Sequence, residues 1–214
     1  FSAAVQNGTQ DPYEEIFPNS ALPVNARLVV VKFSGAARAM HMETFGTSIL
    51  SIPTTGATTG HNAGQNTVSM AATFWNSAKT GTKPFTGAAN PTETFSSDGP
   101  RKIFYQPNGT PITPGNFLFG TNGGTTLQKP DLSAANGTTT LTPGFSPFFG
   151  TSASAPHAAA IAALIRQARP DYTPAQVKQA MTATALPSMG APGNRDAGYG
   201  IPMADAAVQY ALTH

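Results

Sequence analysis

The sequence contains no cysteine, which excludes disulfides, thiolate metal sites and a cysteine nucleophile. Charge is scarce too. Asp, Glu, Lys and Arg supply 10% of the 214 residues, against about a quarter in an ordinary soluble domain. The 12 basic and 10 acidic side chains leave a net charge of +2 and form no cluster. The pI near 9.0 therefore leaves no basic footprint for nucleic acid. No apolar run approaches the roughly 20 residues that span a bilayer. At Phe1 there is no initiator Met, basic n-region or signal h-region, and the expectation is a piece of a longer polypeptide.

Glycine (21) and proline (19) are abundant while 40% of residues are hydrophobic, which predicts long ordered loops around recurrent apolar runs. "ARLVVVKF" (26–33), "TSILSI" (47–52) and "TVSMAATFW" (67–75) read as strands. "ETFSS" (93–97) and "KIFYQ" (102–106) read as short strands about the turn "SDGP". Residues 107–148 read as loop with one short strand. The last third is helical. Residues 153–168 lack a polar stripe, which predicts a helix buried all round. Thr173, Pro174 and Gln176 form a capping-box start for a helix through "VKQAMTATA", and "MADAAVQYAL" (203–212) reads as a third. Strands followed by buried helices predict an α/β layered architecture.

One stretch carries chemistry. In "FGTSASAPHAAAIAALI" (149–165) a Gly-Thr-Ser turn opens directly onto an apolar helix. Gly150 permits a tight turn. Ser152 then stands at a helix start, where unpaired N–H groups and the positive end of the dipole face outward. A hydroxyl there is open to substrate, and its own N–H can donate to a developing oxyanion. An isolated serine before a helix is ordinarily a cap; the surrounding residues set this one apart.

"GTSASAPH" resembles the serine-bearing signature of the subtilases, the subtilisin-like serine peptidases. "ETFSSDGPR" (93–101), "KPDLSAANG" (129–137, with Asn136 at a position often Pro or Asp) and "GYGIPMADAAV" (198–208) resemble further segments of that family, in its order. The resemblance covers about residues 54–212. It implies the C-terminal portion of a subtilisin-like three-layer α/β fold with a mostly parallel sheet and a buried helix after the nucleophile. Residues 1–53 are then a linker or insertion, and 54–214 a catalytic half-domain.

By the same resemblance Ser152 is the nucleophile, and its N–H serves the oxyanion. The family's Asp stands before Ser-Gly or Thr-Gly and its His before Gly-Thr; neither context occurs here. Nor does an "AGN"-like turn supply the oxyanion Asn. The resemblance thus implies a polypeptide substrate and a partner, the N-terminal half of the same enzyme, bringing His, Asp and Asn. It also implies a secreted or periplasmic bacterial protein, without nucleic-acid or membrane partners. No cofactor is identified; structural calcium belongs to the family, but no acidic cluster marks a site. A sedolisin-like serine-carboxyl peptidase and a non-catalytic subtilase-like module are the competing readings.

The remaining polar candidates read as structural. His157 lies five residues past Ser152, about 140° round a helix, and is expected to pack. His61, in "TTGHNAGQN", is read as a structural hydrogen-bonding group, and His41 and His214 have no supporting context. Asp98, Asp131 and Asp196 sit in turns, where Asp bonds the local backbone. Asn7, Asn108 and Asn136 each stand in "NGT", which fits both a glycosylation pattern and a simple turn. Trp75, Phe145, Phe148 and Phe149 are expected as core and loop anchors.

Overall fold

Two parallel strands and three helices place the Gly-Thr-Ser turn. The computed structural model describes residues 13–44, 50–76, 85, 90–190 and 192–214, in two units, Phe1–Ala36 and Ala37–His214. In the first unit the expected strand at 26–33 is absent, and the described residues form neither helix nor strand. Val24 is 92% and Phe33 99% exposed, and the backbone bond there is the turn from Ala26 N–H to the Pro23 carbonyl. Strand propensity is realised only by pairing and packing, and this segment has neither among the described residues. Of the expected strand 47–52, residues 47–49 lie outside the described residues and 50–52 form no strand.

In the second unit β1 (Met70–Phe74) pairs in parallel with β4 (Leu132–Asn136), in register from Met70↔Leu132 to Phe74↔Asn136. An antiparallel pair joins β2 (Arg101–Ile103) to β3 (Thr125–Leu127). The loop expected over 107–148 thus holds two strands rather than one. Residues 93–97 are not a strand. They cross the edge of β1, where Glu93 N–H donates to the Ala72 carbonyl and Ala72 N–H to Ser96 Oγ.

α1 spans Thr151–Ala168, α2 Pro174–Ala183 and α3 Ala204–Thr213. The core gathers Leu132 of β4, Ala158 and Ile165 of α1, Tyr172, Val177, Ala180 and Met181 around α2, and Ala207 and Ala211 of α3. α1 is not buried all round. Ala153, Ser154, Ala158 and Ile165 are buried, whereas Ala155, Ala159, Ala160, Ala163 and Leu164 are exposed. The strands and α3 cover one face, and the other stands bare despite its apolar side chains.

α2 begins as its sequence dictates. Thr173 Oγ1 accepts from Gln176 N–H, and the Gln176 side chain accepts from Thr173 N–H at 2.9 Å. Replacing Thr173 by Ala removes that reciprocal cap and is expected to cost about 1 kcal/mol, read as a lowered urea midpoint at unchanged slope.

A buried charge cluster ties the start of β4 to β1 and α2. Lys129 and Asp131 are 1% and 2% exposed. Lys129 Nζ donates to Asp131 Oδ2 at 2.7 Å and to the Thr67 carbonyl at 2.6 Å. Asp131 Oδ2 also accepts from Ser69 N–H and Oγ, while Oδ1 meets Lys178 Nζ. Burial opposes the Asp131 charge, but the two ammonium groups and Ser69 outweigh it and hold the carboxyl below its ordinary range. Burial lowers Lys129, which shares this carboxylate with Lys178. Gly198 (φ +62°) lies against the same corner, and a Cβ there would strike the Asp131 carbonyl.

Candidate active site

Gly150 precedes α1 with φ +112°, a backbone conformation that glycine adopts without a Cβ penalty. The turn is pinned on both sides of Ser152. Upstream, Gly150 N–H donates to Asn136 Oδ1 at 3.4 Å, and the Gly150 carbonyl accepts from Ala153 N–H at 3.0 Å. Downstream, the buried Ser154 hydroxyl donates to the Ala134 and Ala135 carbonyls at 2.9 and 3.3 Å. The Phe149 ring lies 5.7 Å from that of Phe74 at the end of β1.

Ser152 itself is exposed. Its N–H lies in the first turn of α1, where a helix provides no acceptor four residues back. Its carbonyl loses the usual donor four residues ahead, because Pro156 has no N–H. The serine peptide thus faces solvent at the positive end of an 18-residue helix. Ser152 lines a hollow of about 230 Å³ with Thr151, Ala155, Asn62, Val68 and Met70. Val68, Met70 and Ala155 also line a larger apolar groove of about 480 Å³, which runs along the bare face of α1 to Val177 and Met181 of α2. Asn62, which sequence reasoning passed over, sits beside His61 in the 3-10 turn Gly60–Ala63.

Among the described residues no histidine is hydrogen-bonded to Ser152. His157 is exposed rather than packed, its Nδ1 2.7 Å from the Ala153 carbonyl one turn back. His41 lies between Arg101 and Glu43, His61 is exposed, and His214 stacks on Tyr210. The aspartates serve the fold, two of them over long range rather than within their own turns. Asp98 Oδ1 accepts from Gly56 and Ala57 N–H at 3.0 Å, Asp131 holds the lysine cluster, and Asp196 meets Arg195 at 3.3 Å. Among the described residues no group of three or more His, Asp or Glu is placed to hold a metal ion.

Asn108 occupies a turn, its Oδ1 accepting from Thr110 N–H. Asn136 does not. It ends β4 fully buried, out of reach of any glycosylating enzyme in the folded chain. Asn7 lies outside the described residues. Phe145 and Phe149 are half exposed and anchor loops rather than the core, Phe145 edge-on to Phe148 and Phe149 against Phe74. Trp75 Nε1 donates to the Gly137 carbonyl.

Residues 36–202 match the profile of the Subtilase family. The chain is 37% identical over 109 residues to the subtilisin-like protease SBT1.9 of Arabidopsis thaliana, covering 50% of this chain and 13% of that protein. It is 32% identical over 75 residues to SBT2.3 of the same plant, covering 35% and 8%. The chain thus spans a small part of the length of these relatives. Among solved structures, a protease from Pseudoalteromonas arctica is 30% identical over 38% of this chain and 29% of its own, with a TM-score of 0.30.

Proposed function

The chain belongs to the subtilase family, and on that premise we propose that it is the nucleophile-bearing part of a serine endopeptidase in which Ser152 attacks the peptide bond. The observation that carries this reading is the solvent-facing Ser152 peptide at the start of α1, bracketed by Gly150 and the buried Ser154.

In this reading Ser152 Oγ adds to the scissile carbonyl as a histidine outside these 214 residues takes its proton. The oxygen of the tetrahedral intermediate rests on Ser152 N–H and on an Asn amide from the same outside segment. Collapse expels the amine with the histidine's proton and leaves an acyl ester on Ser152, which water hydrolyses by the same steps. An Asp beside the histidine orients it. The segment supplying these groups is the N-terminal half of the same enzyme, and the groove along Ala155, Ala159 and Ala162 of α1 is where it seats. Residues 54–214 then form the half-domain with 1–53 as linker or insertion, and the enzyme works outside the cytoplasm or in the periplasm. Any calcium ion would be structural.

A fluorophosphonate followed by intact-mass and peptide mass spectrometry tests the proposal. The polypeptide as its source produces it is expected to take one adduct, on Ser152, while the purified 214-residue chain takes none. No adduct in either would reject the peptidase and favour a binding module. A labelled isolated chain would show that the general base lies within these residues. A sedolisin-like site would instead label best in acid.

A further inference from the structure

Resting on the reading of Ser152 as nucleophile, we propose that Asn136, oriented by Glu93, is a positioning residue that fixes the Gly150 peptide and through it the serine. Asn136 is the last residue of β4 and is fully buried. Its Oδ1 accepts from Gly150 N–H and its Nδ2 donates to Glu93 Oε1, both at 3.4 Å. An ionised carboxylate only accepts, so Glu93 selects the amide orientation in which nitrogen faces it and oxygen faces Gly150.

Glu93 is itself fixed, because its N–H donates to the Ala72 carbonyl of β1 at 2.7 Å. A continuous path therefore leads from β1 through Glu93 and Asn136 to Gly150, two residues before Ser152. The path acts where the helix exerts least hold. The Gly150 carbonyl joins the first turn of α1 through Ala153 N–H, but its N–H lies outside the helical ladder, and its φ falls in a region of backbone space open to glycine. The Asn136 oxygen is the acceptor that holds its N–H, and without that bond the peptide can rotate. Displacing a nucleophile by about 1 Å costs on the order of a hundredfold in rate.

The test pairs a chemical readout with a structural one in the polypeptide as its source produces it. Asn136→Ala is expected to lower kcat and the fluorophosphonate labelling rate roughly 10–100-fold, with KM nearly unchanged. Asn136→Asp removes the donor facing Glu93 and sets two carboxylates together, which then share a proton. Its labelling rate relative to the unaltered protein should rise as pH falls. Combining Asn136→Asp with Glu93→Gln makes donor and acceptor exchange places. The introduced amide at position 93 donates to the introduced carboxylate at position 136, which still accepts from Gly150 N–H. This double variant should recover to within about threefold of the unaltered protein.

Hydrogen exchange over residues 149–155 supplies the independent measure. Asn136→Ala and Glu93→Ala should each release the Gly150 amide about tenfold faster, the equivalent of one lost hydrogen bond. Unchanged exchange in both variants, or a double variant no better than Asn136→Asp alone, would overturn the proposal. Absence of labelling in the unaltered protein would instead overturn the peptidase reading, with exchange still deciding whether Asn136 holds Gly150.

Discussion

Replacing Asp131 by alanine is expected to lower stability by about 3–5 kcal/mol, because it leaves a buried ammonium without its counter-charge. Lys129 is 1% exposed, and its other contact is the neutral Thr67 carbonyl; Ser69 N–H and Oγ lose their acceptor at the same time. For a chain of this size the loss corresponds to a melting temperature lower by about 6–20 °C. Lys129→Met should cost distinctly less. It removes a cation that burial already disfavours and leaves Asp131 to Lys178 and Ser69. Equal losses in the two variants would show that the cluster does not work by charge compensation.

The pH dependence has a definite sign. The folded Asp131 carboxyl lies below its unfolded value, so its contribution is complete above about pH 4 and is lost as pH falls through the folded value. Asp131→Asn should flatten the acid limb of the stability curve in that window. Lys129, lowered in the folded chain, adds stability as pH rises through its folded value toward about 10.

In the polypeptide as its source produces it, Ser152→Ala is expected to abolish labelling and to reduce turnover by on the order of 10⁶-fold, with little change in KM, since the role proposed for the hydroxyl is in the transition state. Stability should stay within about 0.5 kcal/mol, as the side chain is exposed. Ser154→Ala provides the contrast two residues away. Its buried hydroxyl holds α1 to the Ala134 and Ala135 carbonyls, so its loss should cost about 1–2 kcal/mol while leaving the adduct on Ser152. Thermal melts and labelling on both variants check the pair. A Ser152→Ala protein that still hydrolyses peptide bonds would end the nucleophile assignment.

Signals carried by neighbouring residues were legible in the sequence. The Thr173–Gln176 box starts α2 where it reads, and the Gly-Thr-Ser turn lies at the head of α1. Signals that depend on remote partners were not. "LSAAN" (132–136) has no alternation because a parallel strand buried on both faces needs none. The Val-rich run at 28–31 has strand propensity but no partner strand among the described residues. The apolar circumference of α1 predicted burial that only half the helix receives. The link from Glu93 through Asn136 to Gly150 crosses 43 and then 14 positions of sequence, so side-chain geometry alone reveals it.

The parallel pairing of β1 with β4 bears on when the serine acquires its setting. Phe74 meets Asn136 across the sheet and Phe149 by ring contact, and these pairings close loops of many tens of residues. Non-local contacts of this kind form late in folding, after the entropy of loop closure has been met. A chain still emerging or partly unfolded therefore carries position 152 as an ordinary hydroxyl on flexible backbone. Assembly of the sheet brings it into register with Gly150 and Ser154, so the setting proposed for a nucleophile belongs to the finished fold and is withheld from its precursors.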